Sequence, residues 1–157
     1  MSILSTGYFL VSREAIKIMY SQNLGGSIVF IASKNGLTAS PLASAYCTAK
    51  ASEIHLARCL ALETAPSGIR VNVINPDAVL QGSKIWSGKW LDERMSAHNK
   101  KNKEDLEEHY KQRSLLKKSV LPVDIAEAAY FMASDLSSKS TGNIINVDSG
   151  NIQSFTR

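Results

Sequence analysis

The chain has 157 residues, 44% of them hydrophobic, and a net charge of +4, with a mean hydropathy of −0.10; this is the profile of a globular chain with room for one domain and a core. No apolar run approaches the ~20 residues of a membrane-spanning helix, and the first residues lack the basic region and cleavage site of a signal peptide, so a cytoplasmic location with no membrane partner is expected. Basic residues are scattered or mixed with acids, as in "KNKEDLEEHYKQR" (101–113), which reads as a solvated helix face and argues against a nucleic-acid partner.

Residues 3–22 place Ile3, Leu4, Tyr8, Val11, Ala15, Ile18 and Met19 at spacings of one, three and four, predicting an amphipathic helix that closes at "NLGG". "GSIVFIAS" (26–33) is a continuous β-branched and aromatic run, the pattern of a strand buried on both faces. The Ala- and Leu-rich stretch 41–65 predicts a long helix entered on Pro41 and stopped before "PSG". "IRVNVINP" (69–76) is a second buried-type strand ended by its proline. Residues 77–121 are polar, hold both tryptophans and form an excursion of short helices. Pro122 then starts a helix over 122–134, and "GNIINVDSG" (142–150) supplies a third short strand. Strands separated by helices imply a parallel sheet. Cys47 and Cys59 fall in one predicted helix, too far apart along its axis to bridge, and read as reduced thiols that pack as small hydrophobes.

Within the second helix, Tyr46 and Lys50 are four positions apart and so share a face. An ammonium near the phenol would favour phenolate and lower the tyrosine pKa, making Tyr46 a general acid or base. Such a pair is common by chance. Ser33 makes it specific, because it ends the first strand at the carboxyl edge of the sheet, where open α/β sheets place their ligands. His55 lies about two and a half turns along from Tyr46 and reads as a packed or interface residue. Glu104, Glu107, Glu108 and His109 stand among lysines and read as a solvated helix, not a metal site.

"GGSIVFIAS", "SAYCTAKAS", "GIRVNVINP", "DIAEAAYFMAS" and "TGNIINVDSG", in this order and spacing, resemble the C-terminal half of the short-chain dehydrogenase/reductases. The resemblance implies an α/β fold, the C-terminal half of a Rossmann-type doubly wound parallel sheet with three strands and flanking helices, forming a single partial domain over 1–157. It implies NAD(P)-dependent hydride transfer between a nicotinamide and a small alcohol or carbonyl. By the same resemblance, Tyr46 is the proton donor and acceptor. Lys50 tunes Tyr46 and holds the nicotinamide ribose, Ser33 bonds the substrate oxygen, and Pro76 and Val79 pack beside the nicotinamide. The segment 77–121, with Trp86 and Trp90, then either covers the substrate as a lid or packs on the core. The helices matching 3–22 and 41–65 pair with symmetry mates, with Ala43, Ala45, Ala49, Ala51 and Ala57 permitting close approach, which implies a homo-oligomer, dimer or tetramer. The wording of "NPDAVLQGSKIW", "FIASKNG" and "EIHLARCLA" is closest to the dehydrogenase module of bifunctional rhamnulose-1-phosphate aldolase/alcohol dehydrogenases, pointing to a hydroxy-aldehyde or deoxysugar substrate.

Four departures qualify this. Asp77 follows Pro76 where the family has glycine, and Gln81 stands where a threonine often meets the carboxamide. Leu4 replaces an asparagine that supports a proton relay. No glycine-rich GxxxGxG or GxGxxG turn occurs anywhere in the sequence, so the strands that would cradle the cofactor pyrophosphate, roughly 90–120 residues at about 30 per βαβ unit, are absent. The expectation is therefore an oxidoreductase not competent as this chain alone; the alternative is a non-catalytic remnant serving as an oligomeric or interaction module.

Overall fold

The computed structural model describes residues 1–155. A π-helical turn, Ser2–Thr6, leads into α1 (Gly7–Gln22). There follow β1 (Gly26–Ile31), α2 (Ser44–Thr64) and β2 (Ile69–Pro76). The excursion carries α3 (Gly88–Ala97) and α4 (Lys103–Arg113), and α5 (Pro122–Ala133) precedes β3 (Ile144–Val147). The strands form one parallel sheet in the order β1-β2-β3, with Gly26 opposite Ile69, Ile31 opposite Ile74 and Val73 opposite Ile144. No helix among the described residues is long and apolar enough to cross a membrane.

Alternation along β2 divides the sheet faces. Val71 and Val73, with 0% and 1% exposure, point into the main core with Phe30, Ile54, Ala57, Leu60 and Ile16, under α1 and α2. Arg70 and Asn72 point the other way, toward α5. There the Arg70 guanidinium donates to the carbonyls of Met132, Ser134 and Ser140, satisfying groups at the α5 C-terminus that a helix cannot pair internally. Asn72 Nδ2 donates to the Ser140 carbonyl and Asn72 Oδ1 accepts from Asn143 N–H, tying β2 to the segment leading into β3.

Three expectations are corrected. β1 is not buried on both faces: only Phe30 is, while Ile28, Val29 and Ile31 are half-buried, because β1 pairs with β2 alone and is the edge of the sheet. Helix α2 begins at Ser44, not Pro41, because Leu42 adopts a left-handed φ of 57° that no helix continues through. Of the small residues thought to face a partner helix, Ala43, Ala49 and Ala57 are buried inside the chain itself, leaving Ala45 and Ala51 exposed. Cys47 and Cys59 are free thiols.

Candidate active site

Ser33 lies two residues past the end of β1. Its backbone is extended and its Oγ accepts from Asn35 N–H at 3.2 Å, capping the short 3-10 turn Lys34–Gly36. That turn lies on α2 so closely that a Cβ on Gly36 would meet Ile54 Cδ1 at 2.4 Å and the Lys50 carbonyl at 2.7 Å. Only glycine permits the approach, and it brings Ser33 against the first turns of α2, where Tyr46 and Lys50 sit. Ser33, Tyr46, Pro76 and Val79 line one cleft of about 340 Å³ at the carboxyl end of the sheet. This is the edge where helices and strands leave loop segments free to shape a site.

Lys50 does not line that cleft. It is buried, and its ammonium donates to the Ile31 carbonyl at 3.2 Å and to Glu53 Oε2 at 2.9 Å, standing 6.0 Å from the Tyr46 ring centroid and 5.5 Å from that of Tyr8. An ammonium has three N–H donors; two are used here, leaving one without a partner among the described residues. The expected lowering of the Tyr46 pKa by Lys50 is corrected here. Burial raises the Tyr46 phenol above its usual value, the nearby Ser33 hydroxyl opposes this, and the Glu53 carboxylate adds to the rise. The physical reason is chiefly the solvent removed from the phenol, while the Lys50 ammonium is held by Glu53 at 2.9 Å.

Glu53 and Tyr8 are the residues that the sequence reading missed. Glu53 is fully buried, and its Oε1 has no hydrogen-bond partner. Burial raises its pKa, with the Lys50 hydrogen bond pulling the other way. The Tyr8 hydroxyl donates to the same Ile31 carbonyl as Lys50, at 3.0 Å, and burial, then Glu53, pushes its pKa up to about 12. Glu53 was findable, since it lies three residues after Lys50 on a helix; Tyr8 was not, because only the packing of α1 on β1 brings it there. Leu4, in the turn before α1, offers no hydrogen-bonding group.

Removing the Glu53 carboxylate leaves a buried ammonium without a counter-charge. Glu53→Leu is expected to lower unfolding free energy by about 3–5 kcal/mol in urea titrations, and a loss under about 1 kcal/mol would show that the pair does not matter. The sign with pH follows from the raised folded pKa. Protonation favours the folded state, so this contribution is complete below the ordinary carboxylate range and is lost as pH rises through the raised value. Glu53→Gln, which keeps an oxygen for Lys50, should lose less and abolish that decline.

The excursion forms part of the cleft wall. Trp86 and Trp90 line it, Trp90 at 6.4 Å from the Tyr46 ring centroid and Trp86 edge-on to Tyr110 at 5.3 Å. Asp77 has the partners that an anion there requires: Arg113 and Asn151 Nδ2 both donate to its Oδ2 at 2.7 Å. Gln81 is exposed. Among the described residues no three His, Cys, Asp or Glu side chains gather as metal ligands.

Residues 1–151 match a family model described as enoyl-(acyl carrier protein) reductase. The uncharacterized oxidoreductase YuxG of Bacillus subtilis strain 168 is 53% identical over 157 residues, covering all of this chain and 23% of that protein. The 3-oxoacyl-[acyl-carrier-protein] reductase FabG of Rickettsia felis is 34% identical over 142 residues, 90% of this chain and 52% of that one. Among solved structures, levodione reductase matches with a TM-score of 0.81 at 29% identity, over 98% of this chain and 55% of that one. 4-Hydroxyisoleucine dehydrogenase complexed with NADH matches at 0.74 and 31%, over 91% and 54%. The chain thus spans about half the length of several relatives and under a quarter of YuxG.

Proposed function

Since the chain belongs to the short-chain dehydrogenase/reductase family, we propose that it carries the chemical half of an NAD(P)-dependent oxidoreductase acting on a small alcohol or carbonyl. The observation that carries the reading is the meeting of Ser33 and Tyr46 in one cleft with the Lys50 ammonium buried behind the tyrosine. Ser33 donates to the substrate oxygen and Tyr46 exchanges its proton. Lys50 reaches the nicotinamide ribose with its remaining donor, and Pro76 and Val79 flank the ring. The nicotinamide, when bound, supplies or accepts the hydride; NAD or NADP is the cofactor class, in keeping with relatives solved with NADH and with NAD. The substrate belongs to the hydroxy-aldehyde or deoxysugar class, a reading that rests on the wording of "NPDAVLQGSKIW", "FIASKNG" and "EIHLARCLA" and its likeness to bifunctional aldolase/alcohol dehydrogenases. The two free thiols fit a cytoplasmic setting.

The reading is tested with the protein, NAD+ or NADP+ and a panel of small hydroxy compounds, following nicotinamide reduction. Cofactor binding without reduction by any member would overturn it. The alternative, a non-catalytic oligomeric or interaction module, draws support from the open edge of β1 and from the exposed apolar side chains of α1, Phe9, Leu10, Val11 and Ile18. Under either reading α1 and α2 provide the self-association surface, so light scattering at micromolar concentration should give a dimer or tetramer mass; a monomer mass would refute this.

A further inference from the structure

The cleft beside Tyr46 holds more positive charge than hydride transfer uses. Its walls carry Lys34, Arg94 and Arg113 against one carboxylate, Asp77. Arg113 and Asp77 neutralise each other at 2.7 Å. Arg94 stacks over Trp90 at 4.7 Å and donates only a long 3.4 Å bond to the Pro41 carbonyl. His98, also on the wall, is pushed toward its neutral form by burial and by His109.

Lys34 stands apart. It is 5% exposed and lines the cleft next to Ser33, yet its ammonium has no ion pair or hydrogen bond among the described residues. Its ammonium is not among the fully enclosed polar atoms and so opens onto the cleft; a cation largely withdrawn from water with no protein partner is costly, and desolvation depresses its pKa, with Asp77 only partly opposing. An anion entering the cleft would be the missing partner. A neutral ligand would leave the ammonium unpaired, and a site with a buried polar group discriminates strongly against ligands that cannot pair with it.

We propose that the cleft selects a substrate that carries an anionic group, a carboxylate or a phosphate monoester, alongside its reacting hydroxyl or carbonyl, with Lys34 as the specificity-determining residue and Arg94 assisting. The inference rests on the hydride-transfer reading and narrows its hydroxy-aldehyde or deoxysugar class to members that carry an anionic group. A cleft of about 340 Å³ is at the small end of ligand sites and suits a compound of a few carbons.

Trp86 and Trp90 are the sequence's two tryptophans and both line the cleft, so intrinsic fluorescence reports occupancy without cofactor or turnover. The full chain is titrated with lactate, glycerol 3-phosphate and, as a neutral comparison, propane-1,2-diol. At least one anion should saturate, with the diol bound at least about tenfold more weakly, one paired charge being worth that much or more. Whichever anion responds identifies carboxylate or phosphate. Lys34→Met should weaken binding of that anion about tenfold or more, and Lys34→Arg, which keeps the charge, should recover much of it; circular dichroism checks that both variants fold. Equal affinity for diol and anion, no response to either anion, or unchanged anion binding in Lys34→Met would overturn the proposal. If Lys34→Met does not fold, the anion-to-diol ratio of the native chain and the retention of binding in Lys34→Arg decide it. Anion selectivity with no cofactor reduction would sink the hydride-transfer reading and keep the anion site. Tyr46-dependent turnover of neutral alcohols without selectivity would do the reverse.

Discussion

NADH titrated into the 157-residue chain alone is expected to show no saturation below about 1 mM, a binding free energy weaker than about −4 kcal/mol. Most of a dinucleotide's binding energy in this class of fold comes from the pyrophosphate held at a glycine-rich turn and from the adenosine ribose held after the next strand. The sequence contains no such turn, and the sheet has three strands with β1 at its edge. What remains for the nicotinamide end is one free donor on Lys50 and the apolar flank of Pro76 and Val79. Without that anchoring, the hydride and the substrate carbon are not held in line, and lost positioning alone removes several kcal/mol of barrier reduction. Calorimetry with NADH and NADPH checks this. Micromolar binding by the chain alone would mean that α1, β1 and the cleft hold the cofactor in a way the family pattern does not provide.

On the proposed hydride-transfer reading, Tyr46→Phe is expected to lower turnover about 10²- to 10⁴-fold, the range for removing a positioned general acid or base, with substrate KM changed little because the ring keeps its place against Trp90. The pH dependence carries a sign that separates this role from a structural one. Alcohol oxidation requires the phenolate, and burial places the Tyr46 pKa above its ordinary value near 10. Oxidation by the native enzyme should therefore rise with pH throughout the neutral and mildly alkaline range. Carbonyl reduction requires the phenol, which is the dominant form across that range, so its rate should stay level there and fall only when the phenol ionises. Both dependences should vanish in the residual activity of Tyr46→Phe. Loss of less than about threefold, or oxidation that is flat with pH, would remove Tyr46 from the chemistry.

The element types and their order were legible because they depend on local pattern. The unbroken β-branched run before Ser33, the Ala- and Leu-rich helix after it and the proline that ends β2 each specify their structure within a dozen residues. The boundary errors have the same origin. Nothing local to Pro41 says that Leu42 will turn left-handed, and a run such as "SIVFI" looks the same at the centre of a sheet and at its edge.

Motif order and spacing in the sequence by themselves determined the family pattern and made Ser33, Tyr46, Lys50, Pro76 and Val79 the candidate site residues. Only the tertiary structure decided how the charges are spent. It turned Lys50 onto Glu53 and the Ile31 carbonyl, paired Asp77 with Arg113 and Asn151, and left Lys34 buried beside Ser33 without a partner. The physical reason is that a motif fixes which side chains sit on a common face, through helix period and strand ends. The pKa and pairing of each group depend instead on the solvent removed from it and on charges brought within a few ångströms by residues far away in the chain, here β1, α4 and the segment after β3.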